Sequence, residues 1–267
     1  MHTEFPGLDT RAHVDSLVAK QLEVHDSEVA ARAGATFDAD YFLVDGATSA
    51  LDDYQGWKPE ISTPRAAAMI DRLGLEEGMR TYEFGCANGG VVRALRDRGI
   101  EAYGSDISWF AVRDASTNYN GRTVTGVGDS VFHTSEVGPG DFAPESLDWV
   151  FAKDVMEHIP EKAMLGFMDQ LLAAANTGVL IRVPVSAIDD EPYVIPHMEL
   201  DETHVIRWSK ERWVNEINES NDRVNDLSEQ PRTITVEDDL VLNRDLNNVM
   251  TYEADAGIGT FVITFTE

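Results

Sequence analysis

A glycine turn followed by a carboxylate is the part of this sequence whose residue types point most clearly to chemistry. The turn occupies residues 85–89, and Asp106 lies 21 residues beyond Gly85 (106 − 85). Glycine at both ends of the turn lets the backbone bend sharply and come close to a ligand. Backbone amides at the start of a following helix favour a carboxylate or a phosphate. A carboxylate at the tip of the next strand can accept hydrogen bonds from both hydroxyls of a ribose, so the spacing predicts a nucleoside-binding crevice.

The same residues leave the choice of nucleoside ligand open. Gly85, Ala87 and Gly90 fit a degenerate dinucleotide fingerprint, which would make the chain an NAD(P)-dependent oxidoreductase. Against this, Glu83 stands two residues before the first glycine, where a carboxylate repels a pyrophosphate but can hold the amino-acid end of a ligand. A second acid, Asp129, is expected after the third strand, where it would accept from an adenine amino group.

Alternating strand and helix patterns must position these residues. The expected strands are 79–84, 100–105, 123–128, 147–152 and 178–183, and the expected helices are 89–98, 108–119, 161–175 and 209–219. Such alternation is typical of a parallel sheet covered on both faces. Two further strand patterns, in 232–242 and 259–265, have no helix after the last one, so we expect the final strand to enter the sheet antiparallel to its neighbour.

The first 74 residues have a different pattern. A helix is expected over 9–32, an irregular aromatic stretch follows, and a second helix is expected from Thr63 and Pro64 to about Leu73. We therefore divide the chain into an N-terminal helical and aromatic cap, 1–74, and a core, 75–267, packed as one unit.

The composition limits the partners and the compartment. The chain has 48 Asp and Glu residues against 21 Lys and Arg, for a formal net charge of −27. A dispersed acidic surface favours a protein that works in concentrated salt and disfavours nucleic acid and anionic membranes as partners. No run is long enough to span a membrane, no secretory signal is visible, and Cys86 is the single cysteine. We expect a cytoplasmic protein in which Cys86 is a small residue that fits the turn.

The run LDWVFAKDVMEHIP at residues 147–160 carries a family resemblance. It resembles the class I S-adenosylmethionine-dependent methyltransferases, in the branch with a D-V-x-E-H-I-P motif after strand four. Residues 83–89 match the first motif of that family, Asp106 the second and Asp129 the third, and the likeness covers about 75–220. It implies a doubly wound, mostly parallel seven-stranded sheet of the Rossmann-like methyltransferase type, with an N-terminal helical cap.

The resemblance also implies roles for individual residues. The methyl donor S-adenosyl-L-methionine would be held at its methionine end by Glu83 and the turn, at its ribose by Asp106, and at its adenine by Ile107 and Asp129. Lys153 and Asp154 would line the methyl-transfer end. The full expected cofactor set is Glu83, Gly85, Cys86, Ala87, Gly89, Asp106, Ile107, Asp129, Ser130, Lys153 and Asp154.

Candidate catalytic residues follow strands four and five. His158 is a candidate base beside Glu157, and His204 in the long loop after strand five is a candidate base or substrate contact. Asp154, Glu157 and His158 would share one face of a helical turn, where they could bind a divalent metal. Some quinone-pathway O-methyltransferases of the family are similar at these positions, but many relatives with the same Glu–His pair need no metal, so we expect none here. A zinc site from His197 and His204 has too few ligands.

The predicted function is methyl transfer to a small-molecule, lipid or glycan acceptor, with a hydroxyl oxygen as the nucleophile. Tyr41, Trp57 and His197 are the candidate acceptor contacts. A non-catalytic module that binds the same nucleoside stays open beside the oxidoreductase.

Overall fold

A computed structural model describes residues 58–116, 129–247 and 252–266, together with Phe37, Tyr41 and Val127. The helix expected over 9–32, Trp57 and most of the strand expected over 123–128 lie outside these residues. Among the described helices, none is long and apolar enough to cross a lipid bilayer.

Within the described residues, seven strands form one sheet in the order β3-β2-β1-β4-β5-β7-β6. Strands β1 to β5 pair in parallel, and β7 pairs antiparallel with both β5 and β6, as expected for the final strand. The strands are β1 (Arg80–Phe84), β2 (Glu101–Asp106), β3 (Val131–His133), β4 (Leu147–Lys153), β5 (Ala175–Pro184), β6 (Thr233–Asp238) and β7 (Ile258–Thr266). The predicted seven-stranded, mostly parallel sheet is confirmed.

Helices cover both faces of the sheet. They are α1 (Pro59–Leu73), α2 (Gly90–Arg96), α3 (Trp109–Ser116), α4 (Glu161–Ala174), α5 (Lys210–Asn225), α6 (Leu240–Asn247) and α7 (Tyr252–Gly257). Helix α1 packs on α2 and α6, whereas α4 packs on α5. Along β4, Val150 and Ala152 belong to the hydrophobic cluster under α4 and α5, and Trp149 and Phe151 belong to the cluster under α1 and α2. Burial on both faces explains the continuous apolar run of this strand.

Helix α1 begins one turn earlier than the sequence predicts. It starts at Pro59, and Pro64 lies inside it. The Lys58 carbonyl accepts from the amides of Ile61 and Ser62, which closes the first turn ahead of Pro64. A proline near the start of a helix removes only one backbone bond, so the early turns form in spite of it. The helix ends as expected at Gly74, which has φ 65°.

The third strand lies later in the chain than predicted. The chain turns at Asp129 and Ser130, with the Ser130 amide donating to the Val127 carbonyl at 2.8 Å, and β3 starts only at Val131. In the β2–β3 register Asp106 lies beside His133. The placement of Asp129 and Ser130 after the third strand is therefore wrong. The turn closed by Ser130 and Val127, together with pairing to β2, sets the start of β3.

Candidate active site

The glycine turn joins β1 to α2 and is tied to β2. The amides of Gly85 and Cys86 both donate to the Ser105 carbonyl, at 2.8 and 3.0 Å. Gly85 has φ 72°, and a Cβ there would lie 2.5 Å from a methyl group of Val155. Only glycine allows this backbone conformation and this close approach without strain. The turn is thus tied to β2 and packed closely against Val155.

Asp106 at the tip of β2 closes the turn from the other side. Its Oδ2 accepts from the Ala87 amide and its Oδ1 from the Ser108 amide, both at 2.8 Å. Burial raises the pKa of Asp106 to about 6, against the opposing effect of these two amide donors. Each carboxylate oxygen keeps a lone pair beyond its amide donor, so the pair of oxygens fits two ribose hydroxyls.

Glu83 and Lys153 form an ion pair between the ends of β1 and β4. Their side chains are 4% and 11% exposed, so the pair is largely shielded from water. Oε2 of Glu83 is buried without a hydrogen-bond partner among the described residues, which leaves it an acceptor for a ligand amine. Cys86 is buried beside them, and burial raises the pKa of its thiol well above the usual range. A protonated buried thiol is inert, which supports its interpretation as a small turn residue.

His133 takes the place at the carboxyl end of β3 that was predicted for Asp129. Its Nε2 donates to the Ile107 carbonyl at 2.7 Å, and its ring stacks on Trp109 with centroids 3.8 Å apart. Asp129 is exposed and lies in the turn before β3, at the opposite end of that strand. Sequence reasoning missed His133 because the strand start was placed too early.

Asp154 faces a cation from the neighbouring strand. Its amide donates to the Arg182 carbonyl at 2.8 Å, and its carboxylate pairs with the Arg182 guanidinium. The one short helical turn nearby is Met156–His158, so Asp154 lies before it. The expected face of Asp154, Glu157 and His158 on one helix is not formed.

The structure instead brings His204 to Glu157 and His158. One ligand atom from each of the three side chains lies within 4.8 Å of the other two. The His158 and His204 rings have centroids 4.6 Å apart. Amides of Val205 and Ile206 donate to the Glu157 carbonyl at 2.8 and 3.1 Å, which fixes the loop after β5 against the turn after β4. We call Glu157, His158 and His204 the histidine–glutamate cluster.

Hydrogen bonds assign the proton of each imidazole in the cluster. Nδ1 of His204 is 2.9 Å from the Met198 carbonyl, which can only accept, so Nδ1 carries the proton. Nδ1 of His158 is 2.7 Å from the Thr203 hydroxyl, and that hydroxyl donates to Asp201, so Nδ1 of His158 is also the donor. In the neutral rings both Nε2 atoms therefore hold lone pairs.

Burial keeps all three groups of the cluster close to neutral. It lowers the pKa of His158 to about 4, with the neighbouring His204 as the second cause. It also lowers the pKa of His204 and raises the pKa of Glu157 well above its usual range, with Asp154 as the second cause for Glu157. The cluster offers lone pairs rather than positive charge to a ligand.

Comparison with known proteins identifies the family. Residues 60–221 match a family model described as a methyltransferase domain. This chain belongs to that methyltransferase family. The predicted class I methyltransferase is thereby confirmed, and the NAD(P)-dependent oxidoreductase that the glycine spacing left open is excluded.

Comparison with solved structures finds proteins that are similar to this methyltransferase. A chain from the complex of the Haloferax volcanii Trm112 methyltransferase activator with a methyltransferase matches with a TM-score of 0.50 at 17% identity, over 78% of this chain and 92% of that one. A SAM-dependent methyltransferase from Archaeoglobus fulgidus matches with a TM-score of 0.49 at 14% identity, over 78% of this chain and 97% of that one. Magnesium protoporphyrin IX methyltransferase from Synechocystis PCC 6803 with bound SAH matches with a TM-score of 0.47 at 15% identity, over 78% of this chain and 84% of that one. No curated protein matches in sequence.

The methyltransferase places most of the predicted site residues at the carboxyl ends of its parallel strands. Tyr41 reaches this edge, because its hydroxyl donates to Asp201 at 3.1 Å. Asp129 and Ser130 lie at the opposite end of β3, His197 is exposed outside the cluster, and Trp57 lies outside the described residues. The residues brought together are Tyr41, Glu83, Gly85, Cys86, Ala87, Gly89, Asp106, Ile107, Lys153, Asp154, Glu157, His158 and His204.

Proposed function

We propose that this methyltransferase uses S-adenosyl-L-methionine to methylate a hydroxyl oxygen of a small-molecule, lipid or glycan acceptor. The observation that carries the proposal is the histidine–glutamate cluster at the sheet edge that also holds Asp106. The cluster presents two Nε2 lone pairs and the buried carboxyl group of Glu157.

The residues around the glycine turn fit the methyl donor. Asp106 would accept from the ribose hydroxyls, and the free acceptor Oε2 of Glu83 would face the methionine amine. S-Adenosylmethionine supplies a methyl group on a sulfonium, and its transfer to a hydroxyl leaves S-adenosylhomocysteine, the methyl ether and one proton to be accepted.

The cluster favours a hydroxyl over an amine as the acceptor group. An amine attacks through its own lone pair and loses its proton afterwards. A hydroxyl is a weak nucleophile until a base removes its proton. A buried group of lone-pair acceptors, with both Nδ1 protons already committed to Met198 and Thr203, meets that need.

The donor and acceptor sides of the crevice lie on neighbouring strands. The turn after β1 carries the donor residues, and the turn after β4 carries Glu157 and His158. Tyr41 donates to Asp201, and Phe37 packs edge-on against His158 with centroids 5.4 Å apart. Aromatic rings from the N-terminal segment therefore lie against the acceptor side, where they would exclude water from the reacting atoms.

Methyl transfer to matched acceptors tests the proposal. Purified protein with isotope-labelled S-adenosylmethionine is offered aromatic and sugar scaffolds that carry either a hydroxyl, an amine or a thiol at the same position. We expect label on the hydroxyl members, with the methyl ether identified by mass spectrometry, and none with Asp106→Ala. Label on the amine or thiol members alone would contradict O-methylation, and donor binding without any transfer would indicate a binding module.

A further inference from the structure

We propose that the histidine–glutamate cluster is a binding site for a divalent transition-metal ion. The ligands are Glu157, His158 and His204, which come from the turn after β4 and from the loop after β5. The sequence pattern placed Asp154 beside Glu157 and His158 as the third candidate ligand. In the structure Asp154 pairs with Arg182, and His204 takes the third position. The inference deepens the proposed function and rests on it for the chemical use of the ion, but not for its binding.

Both imidazoles of the cluster present a lone pair, and one ligand atom from each of the three side chains lies within 4.8 Å of the other two. Nδ1 of each histidine is committed as a donor to Thr203 or Met198, so each remaining Nε2 is an acceptor. Glu157 is 1% exposed, and its Oε2 has no hydrogen-bond partner among the described residues. Buried polar atoms are normally paired or coordinate a metal, and a cation would satisfy all three acceptors at once.

The charges around the cluster favour a cation. Asp201 is buried, and its Oδ2 lies 3.7 Å from Nε2 of His204. Arg182 is the cation whose charge acts on Glu157, and its guanidinium is paired with Asp154. In the part of the chain that the structure describes, the two buried carboxylates thus have no ion-pair partner of their own among lysines and arginines.

The surroundings of the two histidines are those of metal ligands. A metal-binding imidazole usually donates its other N–H to a carbonyl or a carboxylate, which fixes the ring orientation. His204 does this directly to Met198, and His158 does so through Thr203 to Asp201. These bonds fix the orientation of both rings and leave each Nε2 with a lone pair before any ion binds.

The ligand atoms of the cluster, two imidazole nitrogens and one carboxyl oxygen, determine which type of metal ion it prefers. Imidazole suits Zn²⁺, Co²⁺, Ni²⁺ or Fe²⁺, whereas Mg²⁺ and Ca²⁺ prefer oxygen alone. Three protein ligands leave a coordination position open, as catalytic sites do. An acceptor hydroxyl bound there would lose its proton to water more readily, because a metal lowers the pKa of a bound hydroxyl.

Cobalt titration of the chelator-treated protein tests the site. Co²⁺ is followed by its visible ligand-field absorption in concentrated KCl, which screens binding to the acidic surface. We expect one ion per chain, with at least about tenfold weaker binding in Glu157→Gln and in His204→Gln. His197→Gln is the matched control, because that exposed histidine in the same loop lies outside the cluster, and its metal affinity should equal that of the wild type.

The proposal is overturned if the wild type binds no Co²⁺ or if both ligand variants bind it as the wild type does. Circular dichroism checks that the variants fold. If they do not, X-ray absorption of the Zn²⁺-loaded wild type decides, since scattering from two imidazoles is required and its absence refutes the site. O-methylation that persists without metal binding would leave the proposed function intact with imidazole as the base. Metal binding without any methyl ether would refute the function instead.

Discussion

Asp106 shows at the scale of a single residue how the site balances ligand binding against burial. Its two oxygens are each bonded to one amide, which holds the carboxylate in position. Burial nevertheless raises the pKa of the group to about 6, because a charge at the strand tip is poorly hydrated. The residue therefore changes its charge within the range of ordinary assay buffers.

The affinity for S-adenosylhomocysteine should depend on pH through Asp106. Ribose hydroxyls donate to the ionised form, so ligand binding lowers the pKa of this carboxyl. Affinity should rise with pH up to about 6 and level off above it, and should fall by up to about tenfold per unit below it. Calorimetry over this range measures the affinity as a function of pH. The Asp106→Asn variant should bind S-adenosylhomocysteine weakly, with an affinity that does not change with pH. A flat profile in the wild type would show that Asp106 does not contact the ligand.

A methyl group at Gly85 should destabilise the protein more than one at Gly74. Both residues have positive φ, at 72° and 65°, so alanine at either position costs about 1–2 kcal/mol in backbone strain. Only at Gly85 does the new Cβ meet Val155, whereas nothing lies within 4 Å of it at Gly74. We expect Gly85→Ala to lose about 1–3 kcal/mol more than Gly74→Ala in urea denaturation. Equal losses would mean that the turn relaxes away from Val155.

At the scale of the elements, the order of the strands assembles the site. Strands β1, β2 and β4 are neighbours, so their carboxyl ends place Glu83, Asp106 and Lys153 on one edge. The β1–β4 register aligns Phe84 with Ala152, which puts Lys153 just beyond the end of β1. Ion pairing between adjacent strands is thus a direct result of register.

Removing one partner of the Glu83–Lys153 pair should destabilise the protein strongly, whereas replacing both partners with apolar residues should have a small effect. Lys153→Met alone leaves a buried carboxylate without its cation, so we expect a loss of about 3–5 kcal/mol in the free energy of unfolding. Adding Glu83→Leu should recover most of that loss, since an apolar pair needs no compensating charge. Chemical denaturation of the two single variants and the double variant gives the coupling. Additive losses would show that the two charges do not stabilise each other.

At the scale of the whole molecule, the charge imbalance exceeds what internal pairing can neutralise. With 48 acidic and 21 basic residues, at least 27 carboxylates have no cation to pair with one-to-one (48 − 21). Arginines such as Arg223 and Arg207 already hold Asp169 and Glu199. The surplus must therefore be screened by ions from the solvent.

Salt should stabilise this protein strongly. The screening length falls from about 10 Å at 0.1 M to about 3 Å at 1 M, which weakens repulsion among surface carboxylates. We expect the thermal unfolding midpoint to rise with KCl over this range, and to rise more than in sucrose of equal osmolality. A midpoint that is unchanged or lower in KCl would contradict adaptation to a saline interior.

The sequence by itself determined the local features of this methyltransferase. The glycine turn, the carboxylate one strand later and the apolar run of β4 are short-range patterns with a direct physical meaning, and each lies where it was predicted. The antiparallel direction of the final strand was also predicted, and β7 pairs with β5 and β6 in that direction. Local spacing is enough for these features, since a turn or a strand depends mainly on adjacent residues.

The tertiary structure alone decided which side chains meet. His204 joins Glu157, Arg182 holds Asp154, Lys153 holds Glu83 and Tyr41 reaches Asp201, although these partners are 28 to 160 residues apart in the chain. The start of β3 was also decided by a turn and by pairing with β2. Such contacts depend on strand order and loop path, which bring distant residues together in space and leave no periodic pattern in the sequence.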